Sequence, residues 1–510
     1  MALTDACRAV KQRLSAVGQK WTALKQSKPS RYIQKALSSY FFPMAVAAVS
    51  VLCYYLGWEV VNAWFIGIAG TAILLLCDDA SPFYCLLLFL SVFVSVQHCP
   101  NHMGASSDFL FQTPNLVQMG IVVAVLACAL VYRIAAGIVK GKVKFNATFF
   151  TLLAFCVALC LNGLFYSHYT VLNLLYGFGL SATFIAVYLF TCGNIKLDGE
   201  TFKKLSSYLI ALSLVISLEL IIAYFTVDEL IVDGAVERKK LFIGWGTYNS
   251  IGGLLVMTLP AWFYLAGKSK YGYLFLLGGL FDFAMCFLSM SRQAMLMSAV
   301  LLIPCVVWLI IITKGKQRII DLCILGALAL VMLIVAIVLR GKIINFFKSL
   351  LVSLDTGSGR TDIWLTGLTN FLRKPLFGVG FYDELAAEGV GFWQGGYEYI
   401  VPEMAHNTVI QLVSCGGAVA IFTYVIHRTR TVISYINNIT SERTFAFLTM
   451  AAILLVSLLD NHIFYFLPTI TYTVMVALLS KTEERQRASA LPEEGCGEDK
   501  TENLTEGSEQ

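Results

Sequence analysis

From residue 41 to residue 480 the chain is built of long apolar blocks parted by short polar breaks. Each block holds about 17–23 residues, enough for a helix rising 1.5 Å per residue to cross a hydrocarbon core of roughly 30 Å. The blocks lie near 41–57, 60–77, 82–97, 116–132, 147–165, 170–191, 205–225, 248–266, 271–290, 293–312, 319–339, 407–426, 444–460 and 463–480. Lipid offers a backbone no hydrogen-bond partner, so blocks of this length read as helices. The pattern predicts an all-α polytopic membrane protein of about 12–14 transmembrane helices, with a transmembrane domain over 41–480. The turns at 58–59, 78–81 and 461–462 are its weakest boundaries.

Three stretches depart from the block pattern. In residues 1–40, Val10, Leu14, Val17, Trp21 and Leu24 recur in steps of four and three, with Lys11, Arg13, Lys20 and Lys25 between them. That is one apolar helical face in a basic setting, and it predicts an amphipathic helix resting on the anionic cytoplasmic leaflet. Residues 481–510 hold nine acidic residues and almost nothing apolar, which predicts a disordered cytoplasmic tail. The third is the long loop 340–406, whose aromatics, glycines and helical pattern argue for function over disorder.

Composition agrees with the pattern. The chain is 58% hydrophobic and 14% charged, where soluble domains are nearer half apolar and a quarter charged. Net charge of +5 says little, but its distribution orients the chain. With the N-terminus in the cytoplasm, inner segments hold 27 of the Lys and Arg residues and outer segments 10. The positive-inside rule then puts both termini inside. The fourteen cysteines fall mostly inside apolar blocks as small fillers. Cys99 with His98 and His102 hints at a metal, but the loop shows no fourth ligand.

The ten outer cations run against the insertion bias and cluster. Arg238, Lys239 and Lys240 precede GWGTYNSIGG; Arg292 sits in MSRQAM, at a junction with almost no loop. In the loop, Arg360 opens a predicted helix that reaches about Lys374 before Pro375 and the Gly378-Val379-Gly380 turn. Trp364, Leu368, Phe371 and Leu372 share a face, so this helix is expected to lie along the membrane surface with that face seated on the core. Arg360 at its N-terminus suits a phosphate. His406 and Asn407 open the next span from the outer side, and an imidazole there can accept a proton near pH 7. Glu219 and Asp282 lie in the outer halves of their spans; buried acids in lipid are usually paired, so both are expected to support the arginines. One of them as the base in place of His406 is the alternative.

The ordered set of SR in a short outer junction, R-x-x-x-W, PLFGVGF and an HN pair opening a span resembles the O-antigen ligase/polymerase superfamily of bacterial envelope glycosyltransferases over roughly residues 240–430. GTYNSIGGLLVMTLP is a weaker element upstream. The resemblance implies a GT-C-like fold and a glycan donor on an undecaprenyl pyrophosphate carrier. It implies an acceptor hydroxyl on a lipid, a glycan or a polysaccharide chain end. Arg292 and Arg360 would bind the pyrophosphate, with Arg238, Lys239, Lys240, Trp364 and Asn407 as further substrate-binding residues, and His406 would activate the hydroxyl. No metal or other cofactor and no nucleic acid is implied. The expected location is the bacterial cytoplasmic membrane, with the active site in loop 340–406 outside. The rival reading is a flippase for lipid-linked oligosaccharide or a polysaccharide exporter; its usual inverted repeats and mid-bilayer ionisable residues are not apparent.

Overall fold

A computed structural model describes residues 25–90, 113–167, 169–232, 235–338, 340, 341, 344, 360–381 and 405–490. The basic face from Val10 to Leu24, the QHCPNH loop, Ser358, Gly359 and the acidic tail from 491 onward lie outside the described residues.

The described residues form an all-α bundle of sixteen helices. They are α1 Lys28–Leu37, α2 Phe42–Leu56, α3 Glu59–Leu76, α4 Ser81–Phe89, α5 Thr113–Val139, α6 Ala147–Cys160, α7 Val171–Asn194, α8 Thr201–Thr226, α9 Tyr248–Lys268, α10 Gly272–Leu288, α11 Arg292–Ile312, α12 Gly315–Val338, α13 Arg360–Arg373, α14 Thr408–Ile436, α15 Ser441–Ser457 and α16 Phe466–Ala490. Two small hairpins, β1 Ile231–Val232 with β2 Ala235–Val236 and β3 Phe242–Ile243 with β4 Gly246–Thr247, join α8 to α9. Each of the fourteen apolar blocks contains a helix over its described part. Among the described residues eight helices are long and apolar enough to cross a membrane, or nine if the bent α1–α2 pair is one span; α6 and α10 are shorter apolar helices.

α9 is the axis of the bundle. It packs against α8, α10, α11 and α15 and is almost entirely buried. Peripheral helices carry their apolar surface outward: α12 is exposed along most of its length, as a lipid-facing helix must be. Antiparallel neighbours sort the polar contacts to the two ends. At one end Lys268, closing α9, pairs with Glu442 at 2.9 Å, and Arg430 reaches Glu483 at 2.9 Å. At the other end lie the starts of α11, α13 and α14 and the turn from α15 to α16.

Two expectations are corrected here. α16 continues through Ala490, and Lys481 donates to the carbonyls of Cys192 and Ile195, so residues 481–490 are helix rather than tail. The helix after Arg360 forms, but it packs against α14 through another face. Ile363, Gly367 and Asn370 are buried, whereas Leu368 is 44% and Leu372 78% exposed. Small Gly367 lets α13 approach Ile410, and Asn370 donates to the Ser414 hydroxyl at 3.4 Å. The leucine stripe is thereby left on the outside of the protein, where the membrane reading supplies its partner.

The PLFGVGF turn does more than end α13. α14 is broken at Gly417 (φ 63°, ψ −158°), and the turn fills the break. Val379 and Gly380 donate to the carbonyls of Ser414 and Cys415, while Ala418 and Val419 donate back to Pro375 and Leu376, all between 2.7 and 3.1 Å. Backbone groups freed by the break are satisfied from the turn, as a non-helical segment at membrane depth requires. A Cβ at Gly417 would meet the Leu376 backbone at 2.5 Å, and Gly417 has a positive φ, so both space and conformation demand glycine.

Candidate active site

The candidate site is assembled from helix ends. Met290 adopts a left-handed turn (φ 57°) between α10 and α11. Ser291 then caps α11 by accepting from the Ala294 N–H at 3.4 Å, which makes Arg292 the first helical residue. Arg360 is the first residue of α13. A cation at a helix N-terminus opposes the macrodipole by about 0.3–1 kcal/mol, while an anion there is stabilised. Arg292 stands within electrostatic range of both Arg360 and Arg238, whose charges act against its own. The Arg238 guanidinium lies over the Tyr248 ring, 5.5 Å from its centroid. Of the three cations at 238–240, Arg238 is the one placed beside Arg292. Lys240 pairs with Glu229, and Lys239 is exposed.

His406 sits just before α14 with a left-handed backbone (φ 47°), a conformation costing about 1–3 kcal/mol for a side-chain-bearing residue. Its neighbours hold it there. Trp364 Nε1 donates to the Ala405 carbonyl at 2.9 Å. Asn407 is the N-cap of α14: its Oδ1 accepts from the N–H groups of Val409 and Ile410, and its Nδ2 donates to the Leu458 carbonyl. With its amide engaged in this way, Asn407 positions the turn, and the substrate contact expected of it gives way to a capping role.

The imidazole meets a carboxylate that the sequence reading passed over. His406 Nδ1 lies 3.3 Å from Asp460 Oδ1, with the histidine side chain 38% exposed and the aspartate 4%. Asp460 also accepts from the Asn461 N–H at 2.8 Å, the Tyr465 hydroxyl at 3.1 Å and Gln293 Nε2 at 3.4 Å. Burial by itself would raise its pKa. The His406 hydrogen bond, the charges that His462 and His406 can carry and the Asn461 N–H together hold it well below the usual carboxylate range. Asp460 is therefore ionised at neutral pH. It can fix Nδ1 of His406 as the protonated nitrogen and leave Nε2 to accept a proton. His462, buried with its Nδ1 3.8 Å from Asp460 Oδ2, is pushed toward the neutral form by burial, against the pull of that carboxylate.

These contacts close a circuit. Arg360 lies one turn before Trp364; Trp364 binds Ala405; His406 binds Asp460; Asp460 is bound by Gln293; and Arg292 precedes Gln293 and lies within electrostatic range of Arg360. Four segments far apart in sequence thus meet at one end of the bundle. Asp460 was missed because 444–460 read as a span and 461–462 as a bare turn. The signal was present in Asp460-Asn461-His462, an acid beside an imidazole at the same end as His406.

Glu219 and Asp282 do not support the arginines. Asp282 accepts from the hydroxyls of Ser213 at 2.7 Å and Thr258 at 3.2 Å, and Glu219 is buried beside Trp245 and Gly244. Asp282 thereby ties α8, α9 and α10 together. A carboxylate can be housed in a bundle by hydroxyl and N–H donors, without a cation, and Asp282 shows that solution. Among the described residues no group of three or more His, Cys, Asp or Glu is placed to hold a metal ion.

A search of curated proteins finds no match to the chain. Residues 275–425 match the protein-family model described as O-antigen ligase. That stretch runs from α10 through Arg292, Arg360 and His406 into α14, and over it the chain is similar to the O-antigen ligases.

Proposed function

We propose that the protein transfers a glycan from an undecaprenyl pyrophosphate carrier to an acceptor hydroxyl at the outer face of the bacterial cytoplasmic membrane. The observation that carries the reading is the closed circuit from Arg360 through His406 and Asp460 to Arg292. A polyprenyl donor keeps its tail in lipid and its anionic head at the interface. Arg292 and Arg360, with Arg238 beside them, bind that head; a guanidinium fork grips two oxygens at once, and each charge-assisted bond contributes about 1.5–3 kcal/mol. His406 Nε2 takes the proton of the acceptor hydroxyl. The new bond forms between that oxygen and the anomeric carbon as the bond to the pyrophosphate breaks. The leaving group departs as lipid-linked pyrophosphate, its developing charge held by the arginines. Asp460 keeps the imidazole in place and stabilises it once charged. The arginines supply the charge compensation, so no metal is invoked, and the positive-inside bias puts this end of the bundle outside.

The test incubates the purified full-length chain with a lipid-linked oligosaccharide, with and without candidate glycan or glycolipid acceptors, and measures released undecaprenyl pyrophosphate. Acceptor-dependent release with growth of the acceptor is expected, and the acceptor used separates a ligase from a polymerase. A preparation that binds the donor but never releases the carrier under any acceptor would reject the reading.

A further inference from the structure

At the end of the bundle opposite the candidate active site, a cavity of about 390 Å³ opens between the end of α9 and the beginnings of α8 and α10. Its polar wall holds Lys203, Lys268, Lys270, Ser207 and Tyr40, with Glu200 as its one acid. Glu200 takes the Lys203 ammonium at 2.8 Å and the Tyr40 hydroxyl at 2.6 Å. Lys268 pairs with Glu442 of α15. Lys270 lies over the Tyr271 ring at 5.6 Å. With Glu442 counted, three ammonium groups face two carboxylates, and the cavity keeps a net positive charge centred on Lys270.

The apolar side of the cavity does not close it. Ile210, Leu265 and Phe275 form the floor. Beyond them, the α8 face that carries Lys203, Ser207 and Ile210 continues in steps of four, four and three through Leu214, Leu218 and Ile221, all exposed. Tyr40, Phe41 and Tyr271, each more than half exposed, flank the mouth, as aromatics do where a bilayer meets water. A cationic pocket thus opens onto an apolar stripe that runs along α8 toward the middle of the bundle. A free anion would use the first part and ignore the second; an amphiphile uses both.

We propose that this cavity binds the phosphate headgroup of an anionic membrane phospholipid, with an acyl chain laid along the α8 stripe. The site is separate from the proposed glycosyl transfer and stands whether or not that reading holds. Basic pockets between helices are recognised headgroup sites.

The experiment uses the full-length protein in detergent and measures binding of dioctanoyl phosphatidylglycerol by native mass spectrometry, with dioctanoyl phosphatidylcholine and inorganic phosphate as separate arms. Saturable binding of phosphatidylglycerol, at least tenfold tighter than that of phosphatidylcholine, is expected. Lys203→Gln with Lys270→Gln should weaken it about tenfold or more, given a few-fold loss per lysine. Lys270→Gln alone, a change at the cavity rim that touches no ion pair, should weaken it several-fold and serves if the double variant does not fold. Equal binding of the two lipids, equal binding by wild type and variants, or inorganic phosphate binding as tightly as phosphatidylglycerol would each overturn the proposal, the last by showing a soluble-anion site.

Discussion

Arg430 and Arg443 lie at one end of the bundle, Arg292 and Arg360 at the other, and the two pairs are treated differently. Arg430 reaches both oxygens of Glu483 at 2.9 Å. Arg443, 1% exposed, donates to the Leu479 carbonyl and to Ser434 and Thr482. Opposite charges and carbonyls meet there, and the result ties α14, α15 and α16 together. At the other end Arg292 is set against Arg238 and Arg360, at helix starts where the backbone dipole adds to the repulsion. A site for an anion gains from that placement. The comparison sets arginines that meet a carboxylate and carbonyls against arginines set beside one another, and substitutions at each end can break it.

The largest expected effect is at His406. His406→Ala should lower turnover by about 10²–10⁴, the range for losing a general base, with donor binding retained. Weakened donor binding at normal turnover would move the imidazole into a binding role. Arg360→Lys comes next. Charge survives but the fork is lost, so transfer should fall about 10²-fold, on the scale of removing one oxyanion donor, while membrane insertion is unchanged. Near-normal transfer by this variant would count against the phosphate clamp. Asp460→Asn should cost about 10–100-fold in turnover, as loss of a group that orients another does, without changing the KM for donor. A rise in KM with turnover intact would place Asp460 in substrate binding.

Glu483→Gln probes the other side of the comparison. It leaves Arg430 partly buried beside a neutral amide, and loss of one partner of a buried pair costs about 3–5 kcal/mol. With the Arg430 side chain 15% exposed, the lower part of that range applies. The expected outcome is a lower thermal midpoint in detergent with normal turnover per folded molecule. Loss of turnover at unchanged stability would erase the distinction between the two ends.

Much of this architecture was legible in the sequence because lipid simplifies the code. Every apolar block became a helix, since a backbone in hydrocarbon has few alternatives. Arg292 and Arg360 stood out because the charge count assigns them to the outer side, where cations oppose the insertion bias, and His406 because it opens a span on that same side. What the sequence withheld were contacts between helices. Asp460 meets His406 only because α14 and α15 bring residues 54 positions apart together. The seating of α13 went wrong for a related reason. In water the leucine stripe would mark the packed face, but in a membrane Leu368 and Leu372 can face outward while Gly367 and Asn370 make the protein contact. Small and polar residues mark helix interfaces in lipid, so the stripe was read with the wrong solvent in mind.

The smallest effect sharpens the comparison within a single turn of chain. Arg238, Lys239 and Lys240 form one 3₁₀ turn, and the sequence treats them alike. In the fold, Lys240 pairs with Glu229 at the surface, while Arg238 stacks on Tyr248 beside Arg292. Exposed ion pairs contribute about 0–1 kcal/mol, so Lys240→Gln should change transfer by less than about threefold and leave stability nearly unaltered. Arg238→Gln should weaken donor binding about tenfold, as expected for the loss of one charge-assisted bond. Measured side by side by donor titration in the same detergent, the two variants decide whether the cluster works by local geometry or by bulk positive charge. Equal losses would favour bulk charge and remove Arg238 from the site; a clear difference would keep it beside Arg292 and Arg360.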